Sequence, residues 1–469
     1  MNILRHDLTA GLSERSSVLI IVLWIAFGLV SLAIYFADSM TSELHAADNR
    51  VSAQVADEAI DGATRYVNYL LETQIVNGSN GCFPTLFDYQ CQAVPVGDAH
   101  FWLIGRDTNN PVGPGTICFG LVDEASKLNL NLAPSNALIW LPRMTIDITQ
   151  AILDWRSTNA NGPTVLYYAM QQPPYQCKSE PFETLGELRL VYGANMDILV
   201  GEDVNQNGIL DPNENDENQN NMVDPGIFEY LTLYTREPNT NSNGSAKVDI
   251  NPVNVAAISS LLQTNLGAAR AGQILARLGL GGGAATGPGT RGRGASNAPV
   301  AISRSFPSPL SFFVQSGMTS VEFAQISTNI TTTSGAFIQG RVNVNSAPLP
   351  VLTCLLNGDQ AAAQQLITYR QTNPNNLASI GWVMDALGQS YSSDLSMLQT
   401  NDCITTQTYQ FCADVAALGP HGRGYRRVRF VFDTSTGTPQ IVYRQDLTQL
   451  GWALGKPVRD KWLFAKSTP

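Results

Sequence analysis

From Ser16 to Ala37 the chain reads SSVLIIVLWIAFGLVSLAIYFA, without a charged side chain. At about 1.5 Å per residue in a helix, such a run covers the roughly 30 Å hydrocarbon core of a bilayer. Arg5 and Arg15 precede it and Asp38 and Glu43 follow it, an asymmetry that predicts a cytoplasmic N-terminus and a body across the membrane. A cleaved secretory signal has a shorter apolar core ending at small residues; here the run continues through Tyr35 and Phe36, so the segment is expected to be retained. Beyond it Met40, Leu44, Ala47, Val51, Val55 and Ala59 recur at three- and four-residue spacing, with Glu43, Asp48, Asn49 and Arg50 between them. That pattern predicts an amphipathic helix. No Pro and only Gly28 and Gly62 interrupt Ser17 to Gln74, so one continuous helix is expected to carry both halves.

Period-two alternation appears elsewhere. Tyr425 to Phe432 alternates, and Gln440 to Arg444 follows after a Thr/Gly turn, which predicts two antiparallel strands. With strands at His100 to Ile104 and Thr116 to Val122 they would form a sheet packed on the long helix. Between these regions three segments share one design: Leu128-Asn129-Leu130-Asn131, Val248-Asp249-Ile250-Asn251 and Val342-Asn343-Val344-Asn345. Each precedes a helix-like run, ending at Arg156, Arg277 and Arg370, which lie 25, 26 and 25 residues after Asn131, Asn251 and Asn345. The second Asn of each segment is expected to cap the following helix. The fold class is therefore α+β, a long N-terminal helix on an antiparallel sheet with a large, mostly helical insertion. The expected divisions are a basic leader (1–16), an apolar helical half (17–37), an amphipathic half (38–75), a first part of the sheet (76–125), a helical insertion (126–278), a Gly-rich linker (279–307), a further helical repeat (308–400) and C-terminal strands (401–469).

The 469 residues are 44% hydrophobic and 14% charged, with 28 Lys+Arg against 39 Asp+Glu and a formal net charge of -11. This apolar fraction excludes general disorder, and the acidic balance disfavours a dedicated nucleic-acid binder, which needs a basic face for phosphates.

The acidic residues concentrate where chemistry is most legible, in GEDVNQNGILDPNENDENQNNMVDPG. Asp203, Asn205, Asn207, Gly208, Asp211 and Glu214 occupy positions 1, 3, 5, 6, 9 and 12 of a calcium-loop pattern, and Ile209 offers its backbone carbonyl at position 7. Hard cations take six or more oxygens, which alternate residues on a tight turn supply. Thirteen residues on, Asp216, Asn218, Asn220, Met222 and Asp224 repeat the pattern, although Asn221 replaces the Gly and Ile227 the closing Glu. No Lys or Arg lies between Arg189 and Arg236, which leaves eight carboxylates from Glu202 to Glu229 to repel one another unless a cation screens them. Calcium is the expected ion, with a structural role.

Seven cysteines in an exported body predict disulfides. Cys82 with Cys91 and Cys403 with Cys412 enclose short loops and are the expected pairs; Cys118 and Cys177 could form a third, and Cys354 reads as a buried thiol. GLGGGAATGPGTRGRGASNAPVAISRSFP reads as a flexible connection.

The opening SERSSVLIIVLWIAFGLVSLA, then ELHAADNRVSAQVADEAIDGATRYV, resembles the protein K family of the type II (general) secretion pathway, the largest of its minor pseudopilins. The resemblance implies leader cleavage between Ser16 and Ser17 and N-methylation of Ser17; the family usually has Gly where this chain has Ser16. Most pilins carry Glu five residues into the mature chain, whereas this sequence has Ile21, as protein K resembles in lacking the carboxylate. It further implies a place at the pseudopilus tip controlling assembly and length, calcium sites in the body, and helix-hairpin-helix or SAM-like units in the insertion. The implied partners are other minor pseudopilins, the inner-membrane assembly platform and secreted cargo, and the implied location is the bacterial inner membrane, single-pass, with a periplasmic body.

Two other readings stand beside it. One is a minor pilin of DNA uptake or of a type IV pilus, the other an uncleaved membrane-anchored, calcium-stabilised binding module. Against nucleic acid, the hairpin Leu141-Pro142-Arg143-Met144 has Pro142 where backbone donors would meet phosphate. An enzyme is not expected, since His6, His45, His100 and His421 leave little material for a triad or a zinc site.

Overall fold

The computed structural model describes residues 10–76, 89–107, 116–158, 162–251, 253–280, 304–388 and 395–463. A single helix, α1 (Ala10–Val76), runs for 67 residues. At about 1.5 Å per residue that is roughly 100 Å. Every side chain from Val18 to Ala37 is exposed, and α1 is the one described helix long and apolar enough to cross a membrane. The second half of α1 buries Ser52, Ala56, Ala59, Ile60, Ala63, Val67 and Leu71, a three-and-four stripe rich in Ala that lets the helix approach the sheet closely. This corrects the amphipathic face expected from the sequence. Met40, Leu44, Ala47 and Val51 are exposed, because the packed core of the body begins at Ser52; one turn earlier the body meets α1 through an ion pair between Arg423 and Asp48. There the 419–424 turn presses against the helix: a Cβ on Gly424 would stand 2.3 Å from Ser52 O, at φ +66°. Arg426 secures the contact with a 2.9 Å ion pair to Asp57.

The sheet contains β1 (Val94–Val96), β2 (Ala99–Ile104), β3 (Val122–Asp123), β4 (Gln410–Leu418), β5 (Arg426–Asp433) and β6 (Gln440–Asp446). Its order is β1-β2-β4-β5-β6, all antiparallel, with β3 beside β4 beyond the end of β2. Phe101, Leu103, Phe411, Val415, Phe430 and Phe432 pack under α1. On the opposite face Trp102, Ile104, Ala416 and Leu418 meet Ala453 and Leu454 near the C-terminal helix Gly455–Leu463. The expected strand at Thr116 to Val122 is reduced to a bridge at Phe119 and the short β3.

Between β3 and β4 the chain builds three successive units around one continuous core extending from Leu128 to Ile404. Each of the three repeated segments forms a short strand, and each pairs in parallel with a later aliphatic-Thr dipeptide. Leu128–Asn129 pairs with Leu231–Thr232, Val248–Asp249 with Ile330–Thr331, and Val342–Asn343 with Ile404–Thr405. The second unit thus spans the Gly-rich stretch, and the division expected at 279–307 falls inside it; residues 281–303, including Arg291 and Arg293, lie outside the described residues.

The repeated Asn and Asp do something other than cap helices. The first of each pair, Asn129, Asp249 or Asn343, accepts the amide of the residue two on, Asn131, Asn251 or Asn345, at 3.0, 2.7 and 3.0 Å. The second reaches across its unit instead: Asn131 bonds both N and O of Phe182, and Asn345 joins Leu377 O to Trp382 Nε1. Caps come from other residues, Thr145, Asn254 and Asp359. In the first and third units Arg156 and Arg370 return to the carbonyls of Leu130 and Ala133, and of Val344 and Ala347. Such a contact explains the 25-residue spacing that the sequence displays in those two units.

Candidate metal centre

The 202–224 segment emerges from the first unit through a neck where Gly201 and Pro225 form an antiparallel bridge. A Cβ on Gly201, at φ +65°, would lie 2.4 Å from Asp224 O, so only glycine fits there. Within the neck the chain makes the same loop twice. Positions 4 and 6 are left-handed in both, Gln206 at φ 55° and Gly208 at φ 82°, then Gln219 at 57° and Asn221 at 59°. Asn tolerates this conformation better than most residues, which is how the second loop turns without its Gly.

The hydrogen bonds repeat as well. Asp203 accepts the amides of Asn207 and Gly208 at 2.9 Å each, and Asp216 accepts those of Asn220 and Asn221 at 3.2 and 2.9 Å. Asp211 Oδ2 accepts Asn205 Nδ2 and Asn207 Nδ2; Asp224 Oδ2 accepts Asn218 Nδ2 and Asn220 Nδ2. Asn207 Oδ1 takes the Ile209 amide, as Asn220 Oδ1 takes that of Met222. In the first loop Glu214 closes the ring, its two oxygens accepting from Asn205 N and Asp211 N at 3.2 and 2.9 Å. The second loop has no such residue ahead of it, yet Glu202 does the equivalent from behind, accepting Glu217 N at 2.8 Å and Asp224 N at 2.9 Å. Sequence reasoning missed Glu202 because it looked for the closing carboxylate downstream.

Burial, with a smaller contribution from the charges of Asp203 and Asp211, pushes Glu214 from its ordinary 4.5 up to about 7. Asp203 is also raised by burial, against the pull of Arg106. The donor set is oxygen throughout, as a hard cation requires. Among the described residues no three Asp, Glu, His or Cys side chains already stand around a common point; these carboxylates are turned onto the loop's own amides.

The first loop is gripped from the sheet by its backbone. Arg106, just past β2, donates to Gln206 O at 3.0 Å and Asn207 O at 3.2 Å while pairing with Glu229 at 2.8 Å. Arg427 on β5 is fully buried; it donates to Asn205 O and to Gln206 O, and its other edge pairs with Asp414 on β4 at 2.7 Å. Arg429 adds a contact to Gln206 Oε1 at 3.1 Å. A cavity of about 410 Å³ lies beside the loops, lined among others by Arg106, Lys127, Gly208, Asp224, Pro348 and Ile367.

Cys354 is the buried thiol expected, whereas the expected Cys403–Cys412 pair and the candidate Cys118–Cys177 pair are not formed. Cys403 and Cys412 are separate free thiols: Cys403 packs against the insertion core, whereas Cys412 sits in β4 opposite Val431. Burial pushes both up to about 12. Cys177 and Cys118 are likewise free, with Cys177 donating to Asp154 O inside the insertion, and Cys354 is a fully buried thiol. Cys82 lies outside the described residues. Ser16 and Ser17 fall in the first turns of α1, where side chains are outside the described set.

No protein family and no curated protein matches this chain. Among solved structures, the chain is similar to one from the GspK-GspI-GspJ complex of the enterotoxigenic Escherichia coli type 2 secretion system, with 9% identity and a TM-score of 0.44, over 85% of this chain and 98% of that one.

Proposed function

We propose that this chain is a pilin-type subunit of a type II secretion system, a minor pseudopilin of the protein K kind that sits at the pseudopilus tip and limits assembly there. One observation carries the reading: α1 packs into the core of its own body only from Ser52 onward, with an Arg423–Asp48 ion pair just before it, while its apolar first half, Val18 to Phe36, is exposed throughout. A helix divided in this way suits a subunit that waits in a membrane and then packs among neighbouring helices. Its partners are other minor pseudopilins, the inner-membrane platform and exported cargo, and its body is periplasmic. It catalyses no reaction in this role.

Calcium is its structural ion. The first site takes Asp203, Asn205, Asn207, the Ile209 carbonyl, Asp211 and Glu214. The second takes Asp216, Asn218, Asn220, the Met222 carbonyl and Asp224, with Glu202 in place of the absent closing Glu. The ion would neutralise carboxylates that otherwise crowd one loop, and would hold the backbone shape that Arg106 and Arg427 grip.

N-terminal sequencing of the chain made with and without a pilin leader peptidase tests the assembly role. A mature start at methylated Ser17 that depends on the peptidase is expected. A chain that keeps its leader in both hosts overturns the role in favour of a plain anchored module.

A further inference from the structure

The outer edge of β2 carries two different passes of the chain, hung end to end. Leu103 N–H donates to Cys91 O at 2.9 Å, while Leu103 O accepts from Gly120 N at 2.8 Å and Gly105 N–H donates to Cys118 O at 2.9 Å. Cys91 therefore stands beside residue 103 and Cys118 beside residue 105 on one edge of the same strand. They also share a face. Cys91 packs against the core beneath α1, and Phe119, bridged to Ile104, belongs to the opposite core, which by alternation leaves its neighbour Cys118 on the α1 side. Two positions along a strand are about 6.7 Å, the upper end of the Cα separation a disulfide spans. Both side chains are half-buried free thiols; burial raises the pKa of each, and Cys91 adds a smaller contribution to the rise at Cys118. The other described cysteines are elsewhere: Cys177, Cys354 and Cys403 in the insertion core and Cys412 on the far face of β4.

We propose that Cys91 and Cys118 are a disulfide pair that welds the two chain passes along the outer edge of β2. The two thiols lose two protons and two electrons to a disulfide oxidant, which leaves as two thiols, and one S–S bond forms between the Sγ atoms. The oxidising compartment this requires in the cell rests on the periplasmic placement proposed above, whereas the juxtaposition does not.

The test uses the full chain in detergent, treated with oxidised glutathione, alkylated and digested with trypsin. Cleavage after Arg65, Arg106 and Lys127 puts Cys82 and Cys91 in one peptide and Cys118 in the next. A reducible link between these two peptides is expected, together with the loss of two free thiols. It should persist in Cys82→Ser and vanish in Cys118→Ser, and reduction should lower the melting temperature by roughly 5–10 °C. A Cys91–Cys82 link with Cys118 fully alkylated, or loss of the inter-peptide link in Cys82→Ser, overturns the pairing. Because the readout is made in vitro, its failure would leave the secretion role standing, and failure of leader processing would leave the pair standing.

Discussion

Asp414 is buried between two guanidinium groups, Arg427 at 2.7 Å and Arg429 at 2.9 Å. Burial alone would raise its pKa, but the two cations outweigh burial and hold the carboxyl well below its ordinary 3.8. Since the folded value is depressed, the stability it contributes is present above about pH 3.8 and is lost as pH falls below it. Asp414→Asn leaves Arg427 buried without its counter-charge, at a cost of about 3–5 kcal/mol in denaturant unfolding. The variant's stability should also change less than the parent's as the pH drops. Glu214 works in the other direction. Its folded value of about 7 lies above its ordinary 4.5. The metal-free protein should therefore lose stability as pH rises between those values, and calcium affinity measured by calorimetry should increase across the same window.

At the scale of elements, the paired loops predict a stoichiometry. Two calcium ions per chain are expected, falling to one in Glu202→Ala and in Glu214→Ala, each variant losing a different site. Gly424→Ala should cost about 1–3 kcal/mol in a thermal or denaturant melt, because α1 leaves no room for a Cβ and the backbone there is left-handed. Elements whose side-chain types follow a clear period were legible in the sequence, even where, as in β5, both faces are buried. β5 and the long helix show their period, and the Asp/Asn/Gly spacing located both loops. β4 was not legible, because QFCADVAAL is buried at every position and so has no alternation to display. The aliphatic-Thr dipeptides are too short to register as strands alone; only their parallel pairing makes Leu231, Ile330 and Ile404 equivalent. Glu202 escaped because a loop read forward from Asp216 ends on Ile227, whereas the fold brings the missing carboxylate back from the preceding turn.

For the whole molecule, body and insertion have separate cores, and the first loop is a principal tie between them. Chelation of calcium should split a single cooperative unfolding transition in calorimetry into two, with the insertion and the sheet melting apart. Replacing Arg106 by Ala should produce part of that splitting with calcium present.

The division of α1 also decides how the body would carry load. A force applied along the apolar half reaches the sheet through Ser52 to Leu71, contacts that lie side by side along the helix and must slip together. They are loaded in shear, not peeled one after another, so the small Ala-lined interface would resist axial traction far better than its area alone implies, and would yield readily to a sideways pull at Ser52.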